Sequence, residues 1–181
     1  MVLTGKIILE VLMKSGNYLA VVKTLLEPLL ADCREKWKSH IENNFSSKGG
    51  EVGGWDATAD STKQLREALG YPPEPVMQMR GALRKSYRVE SSSWLPRATM
   101  ELFWGERGQG GSVRTWDGQS LSKLQHYGGK GYNPLTKKSF NVPSRPLYNH
   151  ATLERIFVDT VEEPFKKLIA NYALKMMGGG Q

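Results

Sequence analysis

The most regular pattern in the chain lies between Tyr18 and Phe45, where Leu26, Leu30, Cys33, Trp37, Ile41 and Phe45 recur three or four residues apart. That spacing puts them on one face of an α-helix, so a long N-terminal helix is predicted, with Cys33 as a small core residue. Pro28 lies inside the same stretch. It lacks an N–H and crowds the preceding turn, so it predicts a kink or a restart with the proline in the first turn. Helical spacing returns from His150 to Met177 through Leu153, Ile156, Phe157, Val161, Phe165, Leu168, Ile169 and Tyr172, with Pro164 predicting a bend.

Between these helices the pattern changes. Ser46 to Gly54 is glycine-rich and reads as a loop anchored by Trp55. Ser61 to Leu69 predicts a short helix capped by Ser61, closed by Gly70 and stopped by Pro72, Pro73 and Pro75; a second short helix follows over Gln78 to Lys85. Ser86 to Val89 and Thr99 to Trp104 alternate apolar and polar residues as strands do, and Ser112 to Trp116 reads as a further strand. Ser120 to Tyr127 is a helical turn ended by Gly128 and Gly129. Pro143 and Pro146 bracket Arg145 in a stiff extended segment.

The fold expected from these elements is α+β. A small antiparallel sheet is flanked by long N-terminal and C-terminal helices, in one domain over residues 1–181. Residues 1–17 read as an N-terminal arm, 105–111 and 130–141 as extended loops, and 178–181 (GGGQ) as a disordered tail. No internal repeat is visible.

Composition narrows the function classes. At 181 residues, 39% hydrophobic and 24% charged, the chain can build a genuine core and is neither wholly disordered nor membrane-embedded. No apolar run reaches the ~20 residues of a membrane span, and the first residues lack a signal-peptide pattern, so a cytoplasmic protein is the default. A single cysteine excludes an internal disulfide framework and any multi-cysteine zinc site.

The net charge of +7 is unevenly placed: residues 1–79 hold nine basic and ten acidic side chains, 80–150 twelve and four, and 151–181 four and four. The basic middle is expected to face a channel or an acidic neighbour. It leaves open a nucleic-acid-binding module, with Arg80, Arg84, Lys85, Arg88, Lys137, Lys138 and Arg145 as phosphate contacts and Trp or Tyr as stacking surfaces.

Signs of catalysis and of cofactor binding are missing. His40, His126 and His150 have no ligand spacing, and His40 reads as a boundary or solvated position. Glu162 and Glu163 are adjacent and point apart on a helix. GERGQGG (105–111) has no lysine and hydroxyl opening a helix after its glycines, so it is no phosphate loop. A non-enzymatic protein without cofactor or metal is expected.

Read in order, the chain offers a helix ending in WKSHIENNF, a glycine loop with Trp55, then MQMRGALRKSY, LSKLQHYGG and NVPSRPLY, and a closing helix. This series resembles the phage virion morphogenesis or tail completion family, and more broadly the head–tail joining, neck and tail-terminator proteins of tailed phages, over residues 20–175. Arg80, Gly81, Leu83, Arg84 and Ser86 match that family's TGxLRxS block, with Arg80 in place of the threonine. Gly128 and Gly129 match the paired glycines of HxxGG, with Gln125 where the histidine is usual and His126 one place later. Pro143, Arg145, Pro146 and Leu147 match PxRPF, with Leu147 in place of the aromatic.

The resemblance implies a virion structural protein, made in the host bacterial cytoplasm and built into the tail or neck as a ring, a hexamer by family precedent. Its implied partners are copies of itself, tail tube or sheath and head–tail connector proteins, and DNA crossing the lumen, with no membrane. Arg145 is expected to pair bidentately with a carboxylate on its own helices or on a neighbour. Trp55, Gly81, Gly128, Gly129, Pro143 and Pro146 are expected to be structural.

Overall fold

The computed structural model describes residues 18–73, 82–94, 97–104, 121–133 and 137–178. The arm at 1–17, the loop at 105–111, the strand expected over 112–116, Arg80, Gly81 and most of the tail lie outside the described residues. Helix α1 (Tyr18–Ser46) is the long N-terminal helix, and Val22, Leu26, Leu30, Cys33, Trp37, Ile41 and Phe45 are buried along it. Burying each of the larger side chains stabilises the fold by about 1.5–3 kcal/mol. Pro28 neither ends nor restarts the helix. It is exposed, as is Thr24 one turn earlier, so the carbonyl that the proline leaves without a helical donor faces water.

Helix α2 (Asp60–Ala68) starts one residue before the expected cap, with Ala59 at the N-cap and no side-chain cap bond; Asp60 in its first turn complements the helix dipole instead. It closes as predicted at Gly70, whose φ is 74°. A single turn α3 (Ala82–Lys85) leads into β1 (Tyr87–Trp94), which pairs with β2 (Arg97–Trp104). Helix α4 (Leu121–Tyr127) precedes β3 (Gly129–Asn133), which pairs antiparallel with β4 (Lys138–Val142).

Two expectations are corrected here. The described strands form two separate two-stranded sheets, not one small sheet. The segment 130–141 is not an extended loop but mostly hairpin, in the register Gly129↔Val142, Gly131↔Phe140, Asn133↔Lys138. Its polar composition concealed the pairing because the cross-strand contact rests on a missing side chain. The Phe140 ring lies over Gly131, where a Cβ would come within 2.6 Å of it.

Helix α5 (His150–Phe157) continues through a π-helical turn (Val158–Glu162) into α6 (Glu163–Gly178). The Glu163 N–H bonds back to the Val158 carbonyl, five residues earlier. This wide turn ends just before Pro164, where the sequence predicts a bend. Leu153, Phe157, Val161, Phe165 and Ile169 are spaced by fours, which in a regular α-helix drifts about 40° per step around the axis. The extra residue taken up by the π-turn offsets part of that drift, and Leu153, Phe157, Val161 and Ile169 all remain buried.

Where one domain was expected, the chain separates into two compact units. One comprises residues 1–37, 89–101 and 150–181, the other 38–88 and 102–149. In the first, Val22 and Ile169 form a buried cluster joined by Leu25, Phe165 and Tyr172. There the Trp37 indole N–H donates to the Leu153 carbonyl (3.0 Å) and Lys36 Nζ to Thr160 Oγ1 (3.3 Å). In the second, Ile41, Phe45, Trp55, Leu83, Leu124 and Leu147 are buried.

A pinned strap as the candidate functional site

The end of α1, the glycine loop with Trp55, LSKLQHYGG and NVPSRPLY meet in the second unit, around a strap running from Ser144 to Asn149. The last turns of α1 present His40 and Asn44, one helical turn apart, together with Ile41 and Phe45 on its buried side. Trp55 follows the glycine loop and packs edge-on against Phe45, with ring centroids 5.4 Å apart. Its Nε1–H donates to the Pro146 carbonyl at 2.9 Å, and Asn44 Nδ2 donates to the same carbonyl at 3.1 Å and to that of Leu147 at 2.9 Å. Proline offers a carbonyl and no N–H, so two donors converging on Pro146 use the one backbone group it has.

The other side of the strap is held by α4. Arg145 N–H donates to the Gln125 carbonyl (2.7 Å), Ser144 Oγ to the His126 carbonyl (2.8 Å), and Leu147 N–H to His126 Nδ1 (3.0 Å). Farther along, Asn149 N–H points to His40 Nε2 at 3.4 Å. Both histidines therefore act as acceptors, which only the neutral ring can do at that nitrogen. Burial lowers the pKa of each below its ordinary value; at His40, Glu51, 3.6 Å from Nδ1, opposes that shift. His40 is thus buried and partnered rather than solvated.

Gly128 is where strap and hairpin come closest. It has φ 72°, and a Cβ there would stand 2.8 Å from Ser144 N and 2.9 Å from the Val142 carbonyl oxygen, both backbone atoms. Only glycine fits both the conformation and the space. Gly129, at φ 147°, packs against Leu124.

The expected basic residues have diverse surroundings. Arg84 Nε donates to Glu42 Oε2 at 2.6 Å, its Nη2 also contacts that oxygen, and Tyr87 OH donates to Glu42 Oε1 at 3.0 Å. Arg88 lies over the Phe103 ring at 4.8 Å. Lys85, Lys137 and Lys138 are exposed, Lys137 with a φ of 54°. Arg145 is half-buried, its Nε has no hydrogen-bond partner, and no carboxylate lies within ion-pair distance among the described residues. Burial lowers its pKa, Asp56 opposes the shift and Arg66 adds to it. No same-subunit ion pair is thus made among the described residues: the backbone bond to Gln125 fixes where the side chain starts, and Asp56 reaches it only through its field.

Sequence reasoning missed Asn44, Glu42 and the strap-facing roles of His40 and His126. Asn44 could have been noticed as a polar residue beside Phe45 on an otherwise apolar helical stripe. The chemistry of the site is that of a clamp. Among the described residues no group of three or more His, Cys, Asp or Glu could hold a metal ion. The thiol of fully buried Cys33 is pushed up to about 12, chiefly by burial. The first unit has a cleft of about 230 Å³ lined by Arg34, Glu90, Ser92, Thr99 and Glu101 among others, in which the Ser92 and Thr99 hydroxyls bond each other at 2.7 Å. Comparison with protein-family models, with curated proteins and with solved structures finds no match. No described helix is long and apolar enough to cross a membrane.

Proposed function

We propose that this chain is a non-enzymatic structural protein of a tailed phage virion, acting as one subunit of a ring that completes the tail or joins it to the head. The observation that supports this reading most is the strap. The tryptophan after the glycine loop, the paired glycines and the PSRPL segment are far apart in sequence, yet they contact one another directly or through one short helix. A set of blocks that serves to fix backbone suits an assembly subunit, whose surfaces must be presented rigidly to neighbours.

The nucleic-acid-binding alternative draws less support. Of its seven phosphate-contact residues, Arg84 is engaged by Glu42, Arg88 lies on Phe103 and Arg145 is half-buried, which leaves Lys85, Lys137 and Lys138 exposed among the described ones. The test is deletion of the gene from its phage, followed by electron microscopy of the lysate. Unjoined heads and tails, or tails of irregular length, restored by the gene supplied in trans, are expected. Normal infectious particles from the deletion would overturn the reading.

A further inference from the structure

Arg145 is the one charged side chain of the strap, and the backbone on both sides of it is fixed. Its N–H donates to the Gln125 carbonyl at 2.7 Å, Ser144 before it is bonded to the His126 carbonyl, and the Pro146 carbonyl after it receives Trp55 and Asn44. Pro143 and Pro146 restrict φ two residues before it and one after. The guanidinium therefore starts from a rigid base, and little freedom is lost when a ligand meets it.

The charge lacks a counter-ion of its own. Nε is buried without a hydrogen-bond partner, while the residue as a whole is half-buried, so the Nη1 and Nη2 end is what it presents at the surface. Two other charges stand close by. Arg66, only 7% exposed, is anchored by a bond from Nη1 to the Pro73 carbonyl at 3.0 Å. Asp56 follows Trp55, whose bond to the Pro146 carbonyl brings its backbone beside that of Arg145. The field of Asp56 supports the charge of Arg145 and that of Arg66 opposes it, and loss of water around the guanidinium outweighs both. A cation held in this way gains from any anion that can reach its exposed end.

We propose that Arg145 receives the carboxylate of an acidic side chain from a second copy of this chain, gripped end-on by Nη1 and Nη2. This rests on the ring reading and names one contact within it. Suitable carboxylates are at hand, since Glu154 and Asp159 are exposed and form no ion pair among the described residues. Arginine and carboxylate lie at different places on one chain, so the contact is heterologous, the kind that builds rings. A nucleic-acid strand is held by a run of exposed cations along its phosphates, whereas a single half-buried arginine with Asp56 beside it suits one carboxylate.

The test is sedimentation of the full-length chain over a range of concentrations, with circular dichroism and melting of dilute, unassembled samples confirming that each variant is folded. The wild type is expected to reach a closed multiple of its 20.3 kDa mass. Arg145→Met fills similar space and strands the partner's carboxylate, so assembly should weaken about tenfold or more. Arg145→Glu should weaken it further by repulsion, and added salt should narrow the gap between the two variants. Variants that assemble as the wild type does would overturn the proposed contact and leave the ring reading standing. A folded Arg145→Glu chain that assembles no worse than Arg145→Met would also overturn it, because lost packing alone would then explain both. A shift of duplex DNA in a gel that disappears in Arg145→Met while assembly is unchanged would assign the arginine to phosphate instead. A wild type that stays monomeric at submillimolar concentration would remove the ring reading and the contact with it.

Discussion

Acidification should loosen the strap before it affects the rest of the protein. Leu147 N–H and Asn149 N–H are held by His126 Nδ1 and His40 Nε2, and protonation of either nitrogen turns an acceptor into a donor facing a donor. Both histidines have folded-state pKa values below the ordinary 6.5. The unfolded chain therefore binds protons first as pH falls. Stability is complete above about pH 6.5, falls as pH drops through and below it, and levels off once the folded histidines themselves protonate. The ceiling is about 1.4 kcal/mol for each histidine between about pH 7.5 and 5.5, or about 2.7 kcal/mol for both. Glu51 beside His40 reduces that residue's share, so His126 should carry the larger part. Urea unfolding midpoints across this range measure the effect. His126→Asn keeps an acceptor near the Nδ1 position without titrating, and should flatten most of the pH dependence. A wild-type midpoint that does not move between these pH values, or a slope unchanged in His126→Asn, would refute the reasoning.

Other outcomes follow from the same geometry. Gly128→Ala combines a left-handed backbone with a clash against two backbone atoms and should cost about 2–4 kcal/mol, read as a thermal midpoint lowered by several degrees. Glu42→Gln weakens the hold on Arg84 at a site 38% exposed, so a loss of about 1 kcal/mol is expected in denaturant titration. Cys33 should resist a thiol reagent at mildly alkaline pH until the chain is unfolded, since its thiol is buried and pushed up to about 12. Arg145→Met keeps the aliphatic stem and removes a charge that burial disfavours; melting should be unchanged or slightly higher, and a loss above about 1 kcal/mol would mean that the field of Asp56 outweighs the burial of the guanidinium.

The helices could be read from the sequence because their signal is local. Leu30, Cys33 and Trp37 declare a buried face by spacing alone, and α5 and α6 do so through Leu153, Phe157 and Ile169. Strand pairing is not local, and there the reading fell short. Nothing near Lys130 indicates that Phe140 will cross to cover Gly131, and nothing near Tyr87 or Gly129 says whether their strands share a sheet. At the site, Trp55, Gly128, Gly129 and Pro146 could be singled out because they are chemically special. Asn44 and His126 could not, because a hydrogen bond to a distant carbonyl or N–H leaves no periodic trace. For Arg145 the sequence left a carboxylate on its own helices or on a neighbour equally open, since the direction of a side chain depends on backbone bonds, such as that from its N–H to Gln125, that appear only after folding.

The interleaving of the two units along the chain has a consequence for synthesis. The cluster of Val22 with Ile169 and the bond from Trp37 to Leu153 join the earliest described helix to the last two, α6 and α5. A ribosome therefore displays the part of α1 around Val22 and Trp37 until α5 and α6 emerge, 116 residues after Trp37 in the case of Leu153, with only residues 89–101 of the same unit made in between. Residues 38–88 and 102–149, by contrast, can close on each other while the final helices are still being made. The order of emergence thus favours completing the strap first and the terminal helix pair last. During that interval the exposed stripe of α1 is a natural target for holding chaperones.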